Sequence, residues 1–212
     1  MRPARCAIMA AAVVLARAAA ASADPIVVVQ VANPTELSTR PLVVEDFEDD
    51  TFLPGLGFNG VRRVTSQAAA SGVTTSGTFG VISSTSPGGP IDIFFSQPIV
   101  SMGLTFGNDA PVAPHFTAFL DAFADSTLVG SVGVAANMND FADQFIGFNS
   151  SVAISHVRFH FGPIDVFGVT PFIDDVTFGP STATPAATPE PMSLLLFATG
   201  LAGVAARCRR MT

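Results

Sequence analysis

From residue 26 to residue 178, apolar residues occur in short or alternating runs that end at Gly, Pro, Asn, Asp or Ser. Such runs predict β-strands, because successive side chains of a strand point to opposite faces. No stretch repeats with the period of a helix, so an all-β domain is expected, and a sandwich is favoured over a barrel. The predicted strands are Ile26–Val31, Leu42–Phe47, Val61–Ser66, Thr78–Ser83, Ile91–Phe95, Ile99–Phe106, Phe116–Phe123, Thr127–Val134, Gln144–Phe148, Ile154–Phe161 and Phe172–Phe178.

Alternation also predicts which side of some strands faces the core. Val100, Met102, Leu104 and Phe106 alternate with small residues, which predicts one buried face and one small polar face. In the same way Val157, Phe159 and Phe161 should point inward, and His156, Arg158 and His160 outward. Residues 116–134 are typical of a hairpin that bends at Ala124-Asp125-Ser126.

The first 23 residues have the three parts of a secretory signal peptide. Two arginines lie in Met1–Arg5, an apolar run follows at Cys6–Ala16, and Ala21-Ser22-Ala23 supplies small residues before Asp24. We expect a signal helix that the secretion machinery recognises and that signal peptidase removes after Ala23. Everything from residue 24 onward would then be exported.

The last 32 residues combine a linker with a short apolar tail. A Pro/Ala/Thr-rich linker at 181–188 precedes Pro189-Glu190-Pro191, the apolar run Met192–Ala206, and the arginines Arg207, Arg209 and Arg210. This order resembles the PEP-CTERM sorting signal, which exosortase reads in bacteria that build an extracellular polysaccharide matrix. The resemblance implies exosortase as a partner, processing near Pro189-Glu190-Pro191, and a tail that occupies residues 189–212.

The tail is a weak membrane anchor on physical grounds. A helix of the 15 residues Met192–Ala206 would be roughly 22 Å long, against a hydrocarbon core of about 30 Å. The terminal arginines should stay on the cytoplasmic side, which leaves the domain outside the inner membrane, as the signal peptide also requires. We therefore expect a transient inner-membrane helix and a final location at the cell surface or in the matrix. A permanent single-span anchor is the alternative.

Charge and cysteine content exclude several functions. Residues 24–188 contain 16 acidic residues against four arginines, a net charge of −12, and no lysine occurs in the chain. Such a surface repels phosphate, so no nucleic-acid partner is expected. The two cysteines, Cys6 and Cys208, lie in the end segments. The domain at 24–180 is therefore expected to have neither a disulfide nor a cysteine zinc site.

The central domain shows a second resemblance. The series Thr117–Ala122, Leu128–Ser131, Phe145–Phe148, Ile154–Phe159 and Phe172–Phe178 resembles the domain that often precedes PEP-CTERM tails, which is similar to the jelly-roll sandwiches of carbohydrate-binding modules. Asp46-Phe47-Glu48 and Ile173-Asp174-Asp175-Val176 match its first and last strands. The resemblance implies a jelly-roll-like β-sandwich in which these two strands lie side by side.

A structural calcium ion is one candidate for the place where those strands meet. Calcium takes six to eight oxygen ligands, which Glu48, Asp49 or Asp50 from one end and Asp174 or Asp175 from the other would supply together with backbone carbonyls. Carboxylates at strand ends are also common as solvated or capping groups, and this alternative stays open. No other cofactor is expected.

Sugar binding and catalysis have weaker support in the sequence. Sugar sites favour a Trp or Tyr platform, and the chain contains neither, while most of its 19 Phe residues fall on core positions. His156 and His160 are about 13 Å apart along a strand, too far to share one ion, so a solvated face is expected there. No catalytic constellation has a recognisable context, and no enzyme is expected. The chain is interpreted as an exported, non-catalytic surface or matrix protein, with a lectin-like module that binds matrix polysaccharide as the alternative.

Overall fold

The computed structural model describes residues 26–66, 73–84, 88–107, 116–162 and 169–180. These residues form ten strands, a single 3₁₀ turn at Pro34–Glu36 and no α-helix, which confirms the all-β prediction. The strands are β1 (Val28–Val31), β2 (Val43–Glu45), β3 (Leu56–Asn59), β4 (Val61–Thr65), β5 (Phe79–Ser83), β6 (Ile91–Gly107), β7 (Thr117–Ala124), β8 (Thr127–Ala135), β9 (Gln144–Gly162) and β10 (Phe172–Pro180).

Two of these strands are much longer than predicted. Strand β6 contains both predicted strands at 91–95 and 99–106, and β9 contains both at 144–148 and 154–161. Strand β3 was not predicted, because its sequence Leu-Gly-Phe-Asn follows Pro54-Gly55 and has the composition of a turn. The predicted hairpin is confirmed: β7 and β8 pair around a turn at Asp125, which has φ of 54°.

The long strands β6 and β9 form an antiparallel ribbon that folds over on itself. Phe106 pairs with Gln144 near one end, and Ile91 pairs with Phe159 near the other. A straight ribbon would place these two pairs roughly 50 Å apart, yet the rings of Phe106 and Phe159 have centroids only 5.4 Å apart. The bend coincides with register shifts between Phe94 and Ser101, beside Pro98, which has no N–H to donate to the ladder.

The folded ribbon provides the centre of both layers of a β-sandwich. Sheet 1 consists of β3, the first half of β6, the second half of β9, β7 and β8. Sheet 2 consists of β4, β5, β10, the second half of β6, the first half of β9 and β1, with β2 also paired to β10. The pairing of β2 with β10 places the opening and closing segments side by side, as the resemblance implied.

The inner faces of the two sheets form one hydrophobic core. Met102, Leu104 and Phe106 of sheet 2 are completely buried, and so are Val157 and Phe159 of sheet 1. The alternation in the sequence therefore identified the inward side of both halves of the ribbon, except at Val100. Val100 is half-buried and Ile99 is buried instead, because the register shifts between Ile99 and Ser101. Contacts between the sheets include the ring of Phe106 against those of Phe159 and Phe161.

The outer face of sheet 2 is covered. Residues 32–42, which connect β1 to β2, cross this face and hydrogen-bond to it: Thr39 Oγ1 lies 2.5 Å from Ser101 Oγ, and the Ser38 N–H donates to Asn149 Oδ1 at 2.8 Å. Phe145 lies so close above Gly103 that a Cβ built there would be 2.1 Å from its Cζ. The small residues of this strand therefore make room for covering groups. No described segment crosses the outer face of sheet 1.

Truncation of a core side chain tests the sandwich. Leu104→Ala should lower the free energy of unfolding by about 2–5 kcal/mol, because Leu104 is completely buried between the sheets. Leu128→Ala is the matched control, since Leu128 is 54% exposed, and it should change stability by less than about 0.5 kcal/mol. Urea unfolding followed by circular dichroism measures both, and equal losses would contradict the layer assignment.

Candidate functional site

The outer face of sheet 1 carries two rows of side chains that run across its strands. The first, the aromatic row, is set by the paired positions Gly57, Phe94, His156, Phe123 and Leu128. The second, the charged row, lies beside it and is set by the paired positions Asn59, Asp92, Arg158, Asp121 and Ser131. Five strands thus contribute one residue each to each row.

The aromatic row is a stack of three rings. His156 stacks on Phe94 with centroids 4.5 Å apart and planes at 6°, and on Phe123 with centroids 4.8 Å apart and planes at 21°. These distances match the spacing of neighbouring strands. The rings therefore stand side by side and turn their faces toward one another.

The charged row is a network of hydrogen-bonded ions. Asp92 Oδ1 accepts from Arg158 Nε at 2.8 Å and lies 2.9 Å from His156 Nε2. Burial raises the pKa of Asp92, but the hydrogen bonds and charges of Arg158 and His156 outweigh burial and hold this pKa below its usual value. The Asp92 hydrogen bond in turn raises the pKa of Arg158. The expectation of a simply solvated histidine–arginine face is wrong, because these groups are partly buried and paired.

The far end of the face is closed by Phe119. His160 Nε2 lies 3.2 Å from Asp121 Oδ2, and its ring stacks on Phe119 with centroids 5.4 Å apart. Phe119 lies over two glycines: a Cβ built on Gly133 or Gly162 would be 3.2 or 2.8 Å from its ring. The Nδ1 atom of His160 is buried and has no hydrogen-bond partner within the described ranges.

Each of the three predicted calcium ligands hydrogen-bonds to the segment 75–79. Glu48 Oε1 accepts the N–H groups of Thr78 and Phe79, both at 2.7 Å. Asp174 Oδ2 accepts two further N–H groups from residues 75 and 76, at 2.7 and 3.0 Å. The Ser76 hydroxyl donates to Asp175 Oδ1 at 2.7 Å. All three carboxylates thus fix this segment to the joined ends of the domain.

The calcium site itself stays a prediction. In the described part of the chain, no three His, Cys, Asp or Glu side chains are grouped so that they would hold a metal ion. Calorimetry with calcium and with a chelator tests the hypothesis, since an ion that binds only the folded form must raise the midpoint of unfolding. A midpoint unmoved by either would reject it.

Asp174 has the most perturbed carboxyl group of this cluster. It is completely buried, and this burial raises its pKa to about 6, although the N–H groups that it accepts act in the opposite direction and the charge of Asp175 adds to the rise. The folded protein therefore holds this proton more tightly than the unfolded chain, whose value is near 3.8. The contribution of Asp174 to stability is full below about pH 4 and is lost as the pH rises through about 6.

The pH dependence of unfolding tests this assignment. Between about pH 4.5 and 7.5 the wild-type protein should lose about 2 kcal/mol of stability from this group. Asp174→Asn should flatten the slope, whatever it does to the absolute stability. Asp140→Asn, at an exposed acid, is the matched control and should keep the slope. Urea unfolding at several pH values measures this, and an unchanged slope in Asp174→Asn would contradict the assignment.

The predicted processing residues lie outside the described residues. This applies to Ala21, Ala23 and Asp24 at the signal cleavage site, and to the whole tail with Pro189, Glu190, Pro191, Arg207, Arg209 and Arg210. The boundaries at 1–23, 181–188 and 189–212 stay predictions. Within the described ranges, no helix is long and apolar enough to span a membrane.

Comparison with known proteins identifies the tail. Residues 187–210 match the family described as the PEP-CTERM protein-sorting motif. The match includes the Pro189-Glu190-Pro191 triplet, the apolar run and the arginines, so the predicted PEP-CTERM signal is confirmed. A search of curated proteins found no match.

Two solved structures are similar to the domain in part. The catalytic domain of a GH87 alpha-1,3-glucanase in complex with tetrasaccharides is 13% identical, with a TM-score of 0.39, over 72% of this chain and 30% of that chain. CsCBM6-3 from Clostridium stercorarium in complex with cellobiose is 9% identical, with a TM-score of 0.36, over 66% of this chain and 93% of that chain. This chain therefore spans less than a third of the glucanase domain. Similarities at these TM-scores carry no conclusion about ligand or activity.

The sequence predicted only part of the outer face of sheet 1. The outward row at 156, 158 and 160 was predicted, but its partners on β6 and β7 were not. The available signal was the alternation of Ile91, Ile93 and Phe95, which puts Asp92 and Phe94 on the opposite side of the strand. The partners depend on strand register, which the sequence did not provide.

Proposed function

We propose that this chain is an exported, non-catalytic protein of the bacterial surface or extracellular matrix, which exosortase sorts and processes through its tail. The observation that carries the proposal is the match of residues 187–210 to the PEP-CTERM sorting motif. The signal peptide at 1–23 brings the domain across the inner membrane, and the tail holds it there until processing. The domain then reaches the surface or the matrix.

The carboxylates of the domain support a non-catalytic role. Asp92 and Asp121 are held by cationic or imidazole side chains of the neighbouring strand β9. Glu45, Glu48 and Asp174 instead accept backbone N–H groups. Each of these acids has a structural partner, and the fold uses them to fix strands and loops. The proposal also includes the jelly-roll type of sandwich that the sequence resemblance implied.

A second candidate function is binding of matrix polysaccharide. The observation that favours it is the open outer face of sheet 1, where Phe94 is 42% exposed beside the polar side chains of the charged row. Aromatic rings bordered by hydrogen-bonding groups are common in sugar sites. The sequence lacks Trp and Tyr, but exposed Phe also offers an apolar ring face.

Processing of the tail tests the first proposal. In the native host, the wild-type chain should be converted to a shorter form that leaves the inner membrane, and deletion of exosortase should leave it full-length in that membrane. Glu190→Ala should cause the same accumulation, because it alters the Pro189-Glu190-Pro191 triplet. Thr184→Ala, in the linker before the matched segment 187–210, is the matched control. Immunoblots of membrane and culture fractions measure the outcome, and identical trimming without exosortase would refute the proposal.

A further inference from the structure

The aromatic row has an open position at its β3 end. Gly57 of β3 pairs with Phe94 of β6. A Cβ built on Gly57 would have only the Cβ of Phe94 within 4 Å, at 3.9 Å. Space is therefore open above Gly57 and beside Phe94. In the described part of the chain β3 pairs only with β6, so this space lies at the edge of sheet 1.

Among the residues that the structure describes, one ring face of Phe94 is covered and the other is free. His156 covers the side toward β9, with centroids 4.5 Å apart, and the residue remains 42% exposed. The opposite side looks over Gly57, which has no side chain. Phe119, by contrast, lies directly over Gly133 and Gly162. In the described part of the chain, the space above Gly57 beside Phe94 is therefore open, whereas the ring of Phe119 fills the space above Gly133 and Gly162.

Polar atoms border the free ring face. Asn59 and Asp92 are paired in the next row, and the Asn59 side chain is on an exposed residue of the edge strand. Asp92 Oδ1 already accepts from His156 and Arg158, whereas the hydrogen bond that Asp92 Oδ2 accepts among the described residues is a long one, 3.4 Å from Arg158 Nη2. Asp92 Oδ2 therefore keeps acceptor capacity for a hydroxyl group, and Asn59 offers both a donor and an acceptor.

We propose that this notch, formed by Gly57, Asn59, Asp92 and Phe94, binds a neutral sugar residue of a glycan chain. The apolar C–H face of a pyranose ring would stack on the free face of Phe94, above Gly57. Its hydroxyl groups would hydrogen-bond to Asp92 Oδ2 and Asn59. This proposal deepens the second candidate function and rests on it, but it does not depend on processing of the tail.

The net charge of the domain and the position of the notch indicate which kind of glycan would bind. The segment 24–188 has a net charge of −12, and Arg158, which contacts the notch, is paired with Asp92 and lies beside Asp121. A uronic acid or sulfated sugar would therefore be repelled. Because the notch opens at a sheet edge, a polymer can continue past it in both directions, which favours an internal residue of a polysaccharide.

Affinity electrophoresis tests the notch. The full-length chain is kept in a zwitterionic detergent without a sugar head group and run through gels that contain hydroxyethylcellulose, dextran or alginate. We expect at least one neutral glucan to retard the wild-type protein, and alginate not to do so. Phe94→Leu removes the ring, and Gly57→Val fills the space without altering the ring. Each should weaken binding roughly tenfold.

Phe141→Leu is the matched control, because Phe141 is 53% exposed but lies outside sheet 1, and it should bind like the wild type. Gly57 lies within β3 and is not one of the glycines with positive φ, so valine is compatible with its backbone. Thermal unfolding midpoints confirm that each variant is folded, and two independent variants keep the test valid if one is not.

The outcomes separate the two proposals. Retention of neutral-glucan binding by both Phe94→Leu and Gly57→Val would overturn the notch and leave glycan binding elsewhere. An equal loss in Phe141→Leu would also overturn it. No retardation of the wild type by any of the three polysaccharides would overturn both the notch and the second candidate function, and stronger retardation by alginate than by the neutral glucans would overturn the choice of a neutral sugar. None of these results changes the sorting proposal, which the Glu190→Ala experiment tests.

Discussion

The fold depends on the bend of one antiparallel ribbon. Strands β6 and β9 are hydrogen-bonded to each other along almost their whole length, so neither can turn unless the other turns with it. When the ribbon folds near Pro98, its two halves face each other and bury Leu104 and Phe106 against Phe159. Of the other described strands, β1, β3, β7 and β10 pair with the ribbon directly, and β2, β4, β5 and β8 extend the sheets beyond β7 and β10. The ribbon therefore fixes both layers and the distance between them.

The bend also decides which surface is available for function. Residues 32–42 cross the outer face of sheet 2 on their way from β1 to β2, and Ser101 becomes completely buried beneath them. Sheet 1 has no such cover within the described ranges. Its outer face instead carries a stack of rings and a row of paired charges, and it is the face on which we propose that a glycan binds.

Because the acidic domain has four arginines, most of its carboxylates must find hydrogen-bond donors other than cationic side chains. This structure does so with backbone N–H groups: Glu45 accepts from Phe47 and Leu53, and Glu48 and Asp174 accept from residues 75–79. Such bonds stabilise a carboxylate with fixed dipoles and order the loop that supplies them. Arg63 adds to the same region by donating to the carbonyls of residues 47 and 48. The domain's ends are joined by these contacts.

The sequence by itself determined the class of fold, most strand positions, the inward side of the ribbon and the identity of the tail. These are properties of residue spacing and local composition. Alternation indicates which strand faces are buried, and the sorting signal is defined by the order of a Pro-Glu-Pro triplet, an apolar run and arginines along the chain. The sequence also contained the bends of β6 and β9, but they looked like strand ends. Only the tertiary structure decided that each pair of short segments is one continuous strand, that Ser101 is covered, and that Phe94 faces an open position at Gly57. These features depend on register and on contacts between residues far apart in the chain, and hydrophobic patterning does not specify such pairings.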